Sequence, residues 1–355
     1  MIVSFVLPFY AKRPVGGVKV VYEYANYLVE NGHKVFIYYV KKETLNKIKL
    51  PSNFKKKLVK LIIAYRKEKW FPLNKNVRRI SIDAITDNEI KNADIIVATA
   101  VETASPVARL SESKGKKIYL IQDFENWIWN DDEVFDTYRL GMINVVVASW
   151  LKKIVDKYSE QPAILLSNSI NTKVFRVCTP VELRDRHSMA FHYREAPHKG
   201  AQYAIKTIQL LQKKYKDLRV YVVSTNNRPN DLPDCCVFLK DLSAEEVAAV
   251  NNKVRVFMCS SIEEGFGLPG LEAMACGCAL ASSKYQGVLE YAIDGKNALL
   301  APIKDSEKMA ENISDLFEND DLCFRIVHAG LETAQQKSLE VTGGQLETLL
   351  KEQLQ

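Results

Sequence analysis

The sequence predicts an α/β protein of two Rossmann-like domains, each a parallel sheet flanked by helices. Three observations carry this expectation. Short apolar runs suited to buried parallel strands recur along the chain, from IVSFVLP at residues 2–8 to VRVFMC at 254–259. Segments with helical spacing alternate with them, such as VKVVYEYANYLVENGH after the first run. At 355 residues the chain has room for two domains of ordinary size, and the polar stretch RVCTPVELRDRH reads as the join. The expected layout is a first domain at 1–175, a linker at 176–187 and a second domain at 188–337.

In the first domain, the strand at 2–8, the following helix and the strand KVFIYYV at 34–40 make a βαβ opening. Gly16 and Gly17 sit at the helix start, where backbone amides can meet an anion; a simple turn would place them equally well. A dehydrogenase fingerprint is excluded, because there is no GxGxxG and the loop from strand to glycine is too long. Residues 41–79 interrupt the alternation with 11 Lys and 3 Arg against Glu43 and Glu68, a net charge of +12 in a chain whose total is +6. Phe54, Leu58, Leu61, Ile62 and Tyr65 form one helical stripe there, with Lys55, Lys56, Lys57, Lys60 and Lys67 around it. A basic amphipathic helix of this kind suits an anionic membrane surface; an ordinary helix with its lysines in water fits the same pattern. Nucleic acid is not expected, since no recognised binding motif accompanies the charge. RRISI, ADIIVATA, KKIYLIQ, INVVVAS and AILLS then read as strands, with helices at TASPVARLSES and SWLKKIVDKYS. Gln122, Asp123 and Glu125 follow one of those strands at its C-terminal end, where open α/β sheets bind ligands.

The second domain opens with the strand SMAFHY. Arg194 follows it directly, and Lys199 comes five residues later at a helix start. Two cations so placed can clamp a diphosphate, Arg bidentately and Lys as a point charge. DLRVYVVST and CVFLKD are strands, and SAEEVAAVNNK is a capped helix leading to VRVFMC. The stretch Ser260 to Tyr291 then reads SSIEEGFGLPGLEAMACGCALASSKYQGVLEY. Pro269 suits a first helical turn and Gly277 a left-handed C-terminal position. Gly265 and Gly267 let a ligand approach the backbone, and the loop offers free N–H groups to an anion. Two acids frame it, Glu264 and Glu272. Carboxylates beside an anion site would repel it, so their targets are neutral hydroxyls, which they accept from strongly. A ligand with a charged middle and hydroxyls on both sides is a sugar nucleotide. An acidic first turn that merely suits the helix dipole is the plainer alternative. ALASS, GVLEYAIDG and NALLAP are expected to complete the sheet, and SEKMAENISDLFEN and Ser338–Gln355 to be helical.

EGFGLPGLEAMACG followed by GVLEYAIDGKNALL resembles the signature of glycosyltransferase family 4, a group of GT-B enzymes. The resemblance implies two Rossmann-like domains facing a deep cleft, with the nucleotide sugar held mainly by the second domain. It implies that Glu264 contacts the transferred sugar and Glu272 the ribose, and that Arg194 and Lys199 hold the diphosphate. Gly16 and Gly17 would face the donor phosphates, and Asp241 and Leu242 would meet the base through their backbone. Gly265, Phe266, Gly267 and Leu268 form the donor loop. Many members carry a His-Asp pair where this chain has Gln122-Asp123; Asp123 is the expected orienter of the acceptor hydroxyl. IQDFE resembles a subset that includes rhamnosyltransferases, and Asn168, Asn171 and Phe175 match a motif at the end of the first domain. Glu290 recurs in the family motif, though a helix cap would account for it equally, and the terminal helix, 338–355, would cross back onto the first domain. The implied activity is metal-independent, retaining hexosyl or deoxyhexosyl transfer by Glu264, Asp123, Arg194 and Lys199, with the nucleotide sugar as substrate and no cofactor.

Composition agrees with a globular protein: 47% hydrophobic and 26% charged residues. No apolar run reaches the length of a membrane span, and MIVSFVLPF reads as a first strand rather than a signal peptide. The seven cysteines show no CxxC pair or zinc spacing, which suits reduced thiols in the cytoplasm. The expected partners are a nucleotide-diphosphate sugar, a glycan or lipid-linked acceptor in cell-surface polysaccharide synthesis, and the inner membrane face through 41–79. Two rivals stand beside this reading. A nucleotide-sugar epimerase on the same fold would turn over donor without acceptor, and a non-catalytic binding module would bind it without turnover.

Overall fold

A computed structural model of the chain describes residues 1–40 and 70–355. They form two compact units, Met1–Ser167 with Leu339–Gln355, and Asn168–Ser338.

In the first unit β1 (Ile2–Leu7), β2 (Lys34–Val40), β3 (Arg78–Ile82), β4 (Ile95–Ala98), β5 (Lys116–Ile121), β6 (Ile143–Val146) and β7 (Ile164–Leu165) pair in parallel. Their order among the described residues is β3-β2-β1-β4-β5-β6-β7. Helices cover both faces of such a sheet, so the buried parts of its strands read as apolar runs rather than alternating; all four residues of β4 are buried, whereas β3 and β5 begin with exposed charged residues. The helix Gly16–Glu30 buries Val18, Val21, Tyr22 and Leu28. Tyr22 and Tyr39 join their hydroxyls at 2.8 Å, which satisfies two buried polar groups at once. Trp70 stacks on Tyr22 at 5.5 Å and donates its ring N–H to the Ala11 carbonyl. The helix Leu339–Glu352 belongs to this unit, and Gly343 lies so close to the Tyr27 ring that a Cβ there would come within 2.7 Å. The expected stripe Phe54–Tyr65 and its lysines lie outside the described residues.

The second unit holds β8 (Asp185–Tyr193), β9 (Arg219–Ser224), β10 (Cys236–Lys240), β11 (Val254–Cys259), β12 (Ala279–Ser283) and β13 (Leu299–Ala301). They too run parallel, in the order β10-β9-β8-β11-β12-β13. Phe191, Val222, Met258, Ile313 and Phe317 belong to one buried cluster, to which the helices Ala201–Lys214 and Ser306–Glu318 contribute. In both units the first strand lies beside the fourth, so connections leave the sheet in opposite directions at that seam. Open α/β sheets bind ligands at the strands' C-terminal ends there.

Two expectations are corrected. Residues 176–187 are not a free linker but part of the second unit. Arg184, only 7% exposed, donates to the carbonyls of Thr179, Asn251, Val254 and Cys276. Asn252 accepts from the N–H groups of Cys178 and Thr179. A run that looks polar in sequence is thus tied down by a buried guanidinium whose donors are spent on carbonyls. Secondly, GVLEY makes no strand: Gly287–Glu290 is a 3₁₀ turn, closed by Leu289 N–H to Gln286 O and Tyr291 N–H to Val288 O. Gly287 is wedged against the loop before the helix Leu268–Ala275, too close for a strand partner to intervene.

Candidate active site

Two loops meet at the seam between β8 and β11. Arg194 leaves the end of β8, half-buried, its Nη1 donating to the Tyr193 carbonyl at 2.8 Å. Burial pulls the guanidinium pKa down, while the carboxylates of Glu264 and Asp241 push it back up, so the cation stands in the field of both acids. Lys199 ends the 3₁₀ turn Pro197–Lys199, and its Nζ lies 3.4 Å from Glu264 Oε1. Glu264 also accepts from the Ser261 hydroxyl. The two loops are joined through backbone: the His198 carbonyl accepts from Ile262 N–H at 2.8 Å and Glu263 N–H at 3.2 Å. Gly200 makes the join possible. It adopts φ +62°, and a Cβ there would lie 2.1 Å from the Ser260 carbonyl oxygen.

The glycine loop is built against side chains from farther along the chain. Gly267 caps the helix Leu268–Ala275 at φ +87°, with the Tyr285 hydroxyl 2.0 Å from where a Cβ would stand. Tyr291 donates its hydroxyl to the Gly267 carbonyl at 2.7 Å. Gly287 backs the same loop, within 2.4 Å of Glu264 O and 2.8 Å of Phe266 N measured from an added Cβ. Gly265, Phe266, Gly267 and Leu268 are therefore buried and held from beneath. Ser261, Tyr285, Gly287 and Tyr291 were not singled out from sequence as site residues. Their only signal was membership of the same long run, in which nothing marks which side chains turn back on the loop.

Glu272 lies in the next turn of that helix and is 6% exposed. Asp241 follows β10 at φ +55°, a left-handed conformation rare outside glycine, and its N–H bonds to Ser224 O at 2.9 Å. Leu242, next to it, is half-buried. The structure thus gathers Arg194, Lys199 and Glu264 in contact or mutual field, with Asp241 facing Arg194, around a loop of positioned backbone.

The remaining candidates belong to the first unit. Gly16 starts the helix Gly16–Glu30, with open space around it. Gly17 carries the carbonyl to which Gln122 Nε2 donates at 3.3 Å. Gln122 thus reaches the glycine pair by hydrogen bonding. Asp123 accepts the N–H of Phe124 at 2.9 Å. Glu125 accepts the N–H of Val101 at 2.6 Å, at the start of the helix Val101–Ala108. Burial pushes the Glu125 carboxyl up to about 7, further than that hydrogen bond pulls it down, and the Asp123 and Glu102 carboxylates add to the rise.

Among the described residues, no group of three or more His, Cys, Asp or Glu side chains is placed to hold a metal ion. None of the described helices is long and apolar enough to cross a membrane.

Comparison with known proteins follows the same geography. The family described as glycosyl transferases group 1 matches residues 188–319, which include both site loops. An uncharacterized glycosyltransferase of Methanocaldococcus jannaschii is 26% identical over 205 residues, 55% of each chain. The D-inositol 3-phosphate glycosyltransferase of Corynebacterium efficiens is 26% identical over 179 residues, 46% of this chain and 42% of that one. The chain thus spans about half the length of the curated relatives it matches. Among solved structures, sucrose-phosphate synthase from Thermosynechococcus elongatus superposes with a TM-score of 0.77 over 99% of this chain and 98% of its own, at 13% identity. Anabaena HepE, solved with UDP and glucose, gives 0.74 over 99% and 100%, also at 13% identity. At such identity the likeness establishes the fold, which is GT-B.

Proposed function

We infer that this chain, of GT-B fold with a glycosyl transferases group 1 domain in its second unit, is a glycosyltransferase acting on a nucleotide-sugar donor. The observation that carries the reading is the meeting of Arg194, Lys199 and Glu264 at the seam between β8 and β11. Cleaving the anomeric C–O bond leaves a nucleoside diphosphate with growing charge. Fixed cations and loop N–H groups stabilise that charge most where it develops. Arg194 and Lys199 supply the cations, and Gly16 and Gly17 are our candidates for further phosphate amides. Glu264 accepts from a sugar hydroxyl, Glu272 from the ribose, and the backbone of Asp241 and Leu242 meets the base. Asp123 orients the acceptor hydroxyl. That hydroxyl bonds to the anomeric carbon on the face the diphosphate leaves, and its proton passes to the departing phosphate oxygen, so configuration is retained. No step calls for a metal or cofactor. The substrate class is a hexose or deoxyhexose, and the acceptor a glycan or lipid-linked glycan of the cell surface.

Glu264→Gln should cut turnover sharply while nucleoside diphosphate affinity stays nearly intact; Glu272→Gln should weaken the nucleotide itself. Both are measured by transfer assays in chelator-containing buffer and by calorimetry with UDP and GDP. Equal losses of nucleotide affinity with turnover preserved would sink the division of labour. Turnover of donor without acceptor would favour an epimerase, and tight binding with no turnover a binding module.

The basic block at 41–79 motivates a cytoplasmic enzyme attached to an anionic leaflet. The expected result is co-sedimentation with anionic but not zwitterionic vesicles, weakened by salt and abolished by changing Lys55, Lys56, Lys57 and Lys60 to Gln. Absence of vesicle binding at low salt would remove the membrane from the picture.

A further inference from the structure

Beneath the glycine loop lies a cation that neither the motif nor the clamp accounts for. Lys337 follows the helix Asp320–Gln336 as its C-terminal cap. Its carbonyl accepts the N–H of Ile170 at 3.0 Å, which fixes where the side chain starts. Its Nζ stands 5.7 Å from the centre of the Phe266 ring. Phe266 is 3% exposed, lies inside the Glu264–Gly267 loop, and packs 5.4 Å from Tyr291, the residue that holds the Gly267 carbonyl. Burial draws the Lys337 ammonium below its ordinary pKa, and Glu290 acts in the opposite sense. Removing an ammonium from water is unfavourable unless other groups replace the lost solvation. An apolar side chain of the same length would fill this space with no such penalty. The aromatic face and the Glu290 carboxylate are among the groups that favour the charge there.

We propose that Lys337 is a positioning residue for the donor loop, its ammonium fixing the Phe266 ring and, through it, the backbone amides of Gly265 to Gly267. The proposal rests on the donor reading above. A cation set against the ring favours one ring position, and the ring's Cβ is bonded to the Phe266 Cα that lies against Gly287, so a held ring limits how far that backbone shifts. Lys337 is placed against the Phe266 ring, and its proposed action on the donor runs through that ring.

The test uses the full chain. Lys337→Met keeps the stem and removes the charge; it should raise the donor KM about threefold to thirtyfold, the range set by a partly desolvated cation–π contact. The kcat should stay within about threefold, and the thermal midpoint should hardly move. Lys337→Arg should restore the donor KM, because a guanidinium also stacks on aromatic faces. In a Phe266→Leu background, Lys337→Met should add nothing further. If Lys337→Met does not fold, Lys337→Gln serves the same comparison. An unchanged donor KM, failure of Arg to rescue, or full additivity with Phe266→Leu would each overturn the proposal. Calorimetry with UDP and GDP on the unmodified protein separates the two levels. Binding of neither would overturn the donor reading and this proposal together, whereas normal binding with an inert Lys337→Met overturns the proposal alone.

Discussion

Arg194→Ala and Lys199→Ala should each weaken nucleoside diphosphate binding by about 1.5–3 kcal/mol, roughly tenfold to 150-fold in Kd. Hydrogen bonds to charged groups set that scale, and both side chains are only part-exposed, so water screens them incompletely. The lysine change should be the larger. It removes a cation and also leaves Glu264 without the ammonium 3.4 Å away, so a less neutralised carboxylate then faces the incoming diphosphate. Arg194→Lys should recover only part of the loss, since an ammonium cannot grip two oxygens at once. Calorimetric titration with UDP and GDP is the measurement. Wild-type affinity in a folded variant would take that residue out of the site.

Gly267→Ala should damage the molecule more broadly. An L-residue at φ +87° is strained by roughly 1–2 kcal/mol, and the added methyl would collide with the Tyr285 hydroxyl at 2.0 Å, an overpacking on the order of 1–3 kcal/mol. Together these come to about 2–5 kcal/mol, which for a unit of this size lowers the melting midpoint by roughly 4–20 °C. Nucleotide binding should fall with it, because the loop amides move. Gly16→Ala is the contrast: that glycine has open space around it and no positive φ, so the fold should tolerate alanine. Equal thermal stability of Gly267→Ala and wild type would show that the loop accommodates a Cβ, against the packing described.

The fold was legible because its strands announce themselves. IVSFVL, IIVA and VRVFMC are near-continuous apolar runs, broken only by Ser4 and Arg255, as double-sided burial favours, and each is a strand in the structure. The capped helix after CVFLKD was equally plain: Ser243 accepts the Glu246 N–H as the motif demands. The linker misled because hydrophobicity says nothing about where a guanidinium can spend its donors; Arg184 finds carbonyls as far along the chain as Cys276. GVLEY misled for a related reason. A short apolar run is compatible with strand or turn, and Gly287 settles it by contacts with residues more than twenty positions earlier. Of the candidate site, local spacing put the charged groups beside strand and helix ends, and only the resemblance of the glycine run gave them expected roles. The groups that hold the loop could not be read in this way. Tyr285, Tyr291 and Lys337 are ordinary residues until the chain brings them under Phe266 and Gly267.

The hydrogen bonds from Ile262 and Glu263 to the His198 carbonyl have a consequence for how a ligand is met. They fasten the arm bearing the two cations to the arm bearing the acid, with Gly200 and Ser260 in backbone contact beside them. A lock assembled before the key arrives loses little conformational freedom when the key enters. Discrimination at this end of the molecule then falls to shape and charge already in place. On the donor reading proposed above, a diphosphate of the wrong geometry would be refused at the threshold, with no closing motion of these two arms needed to test it.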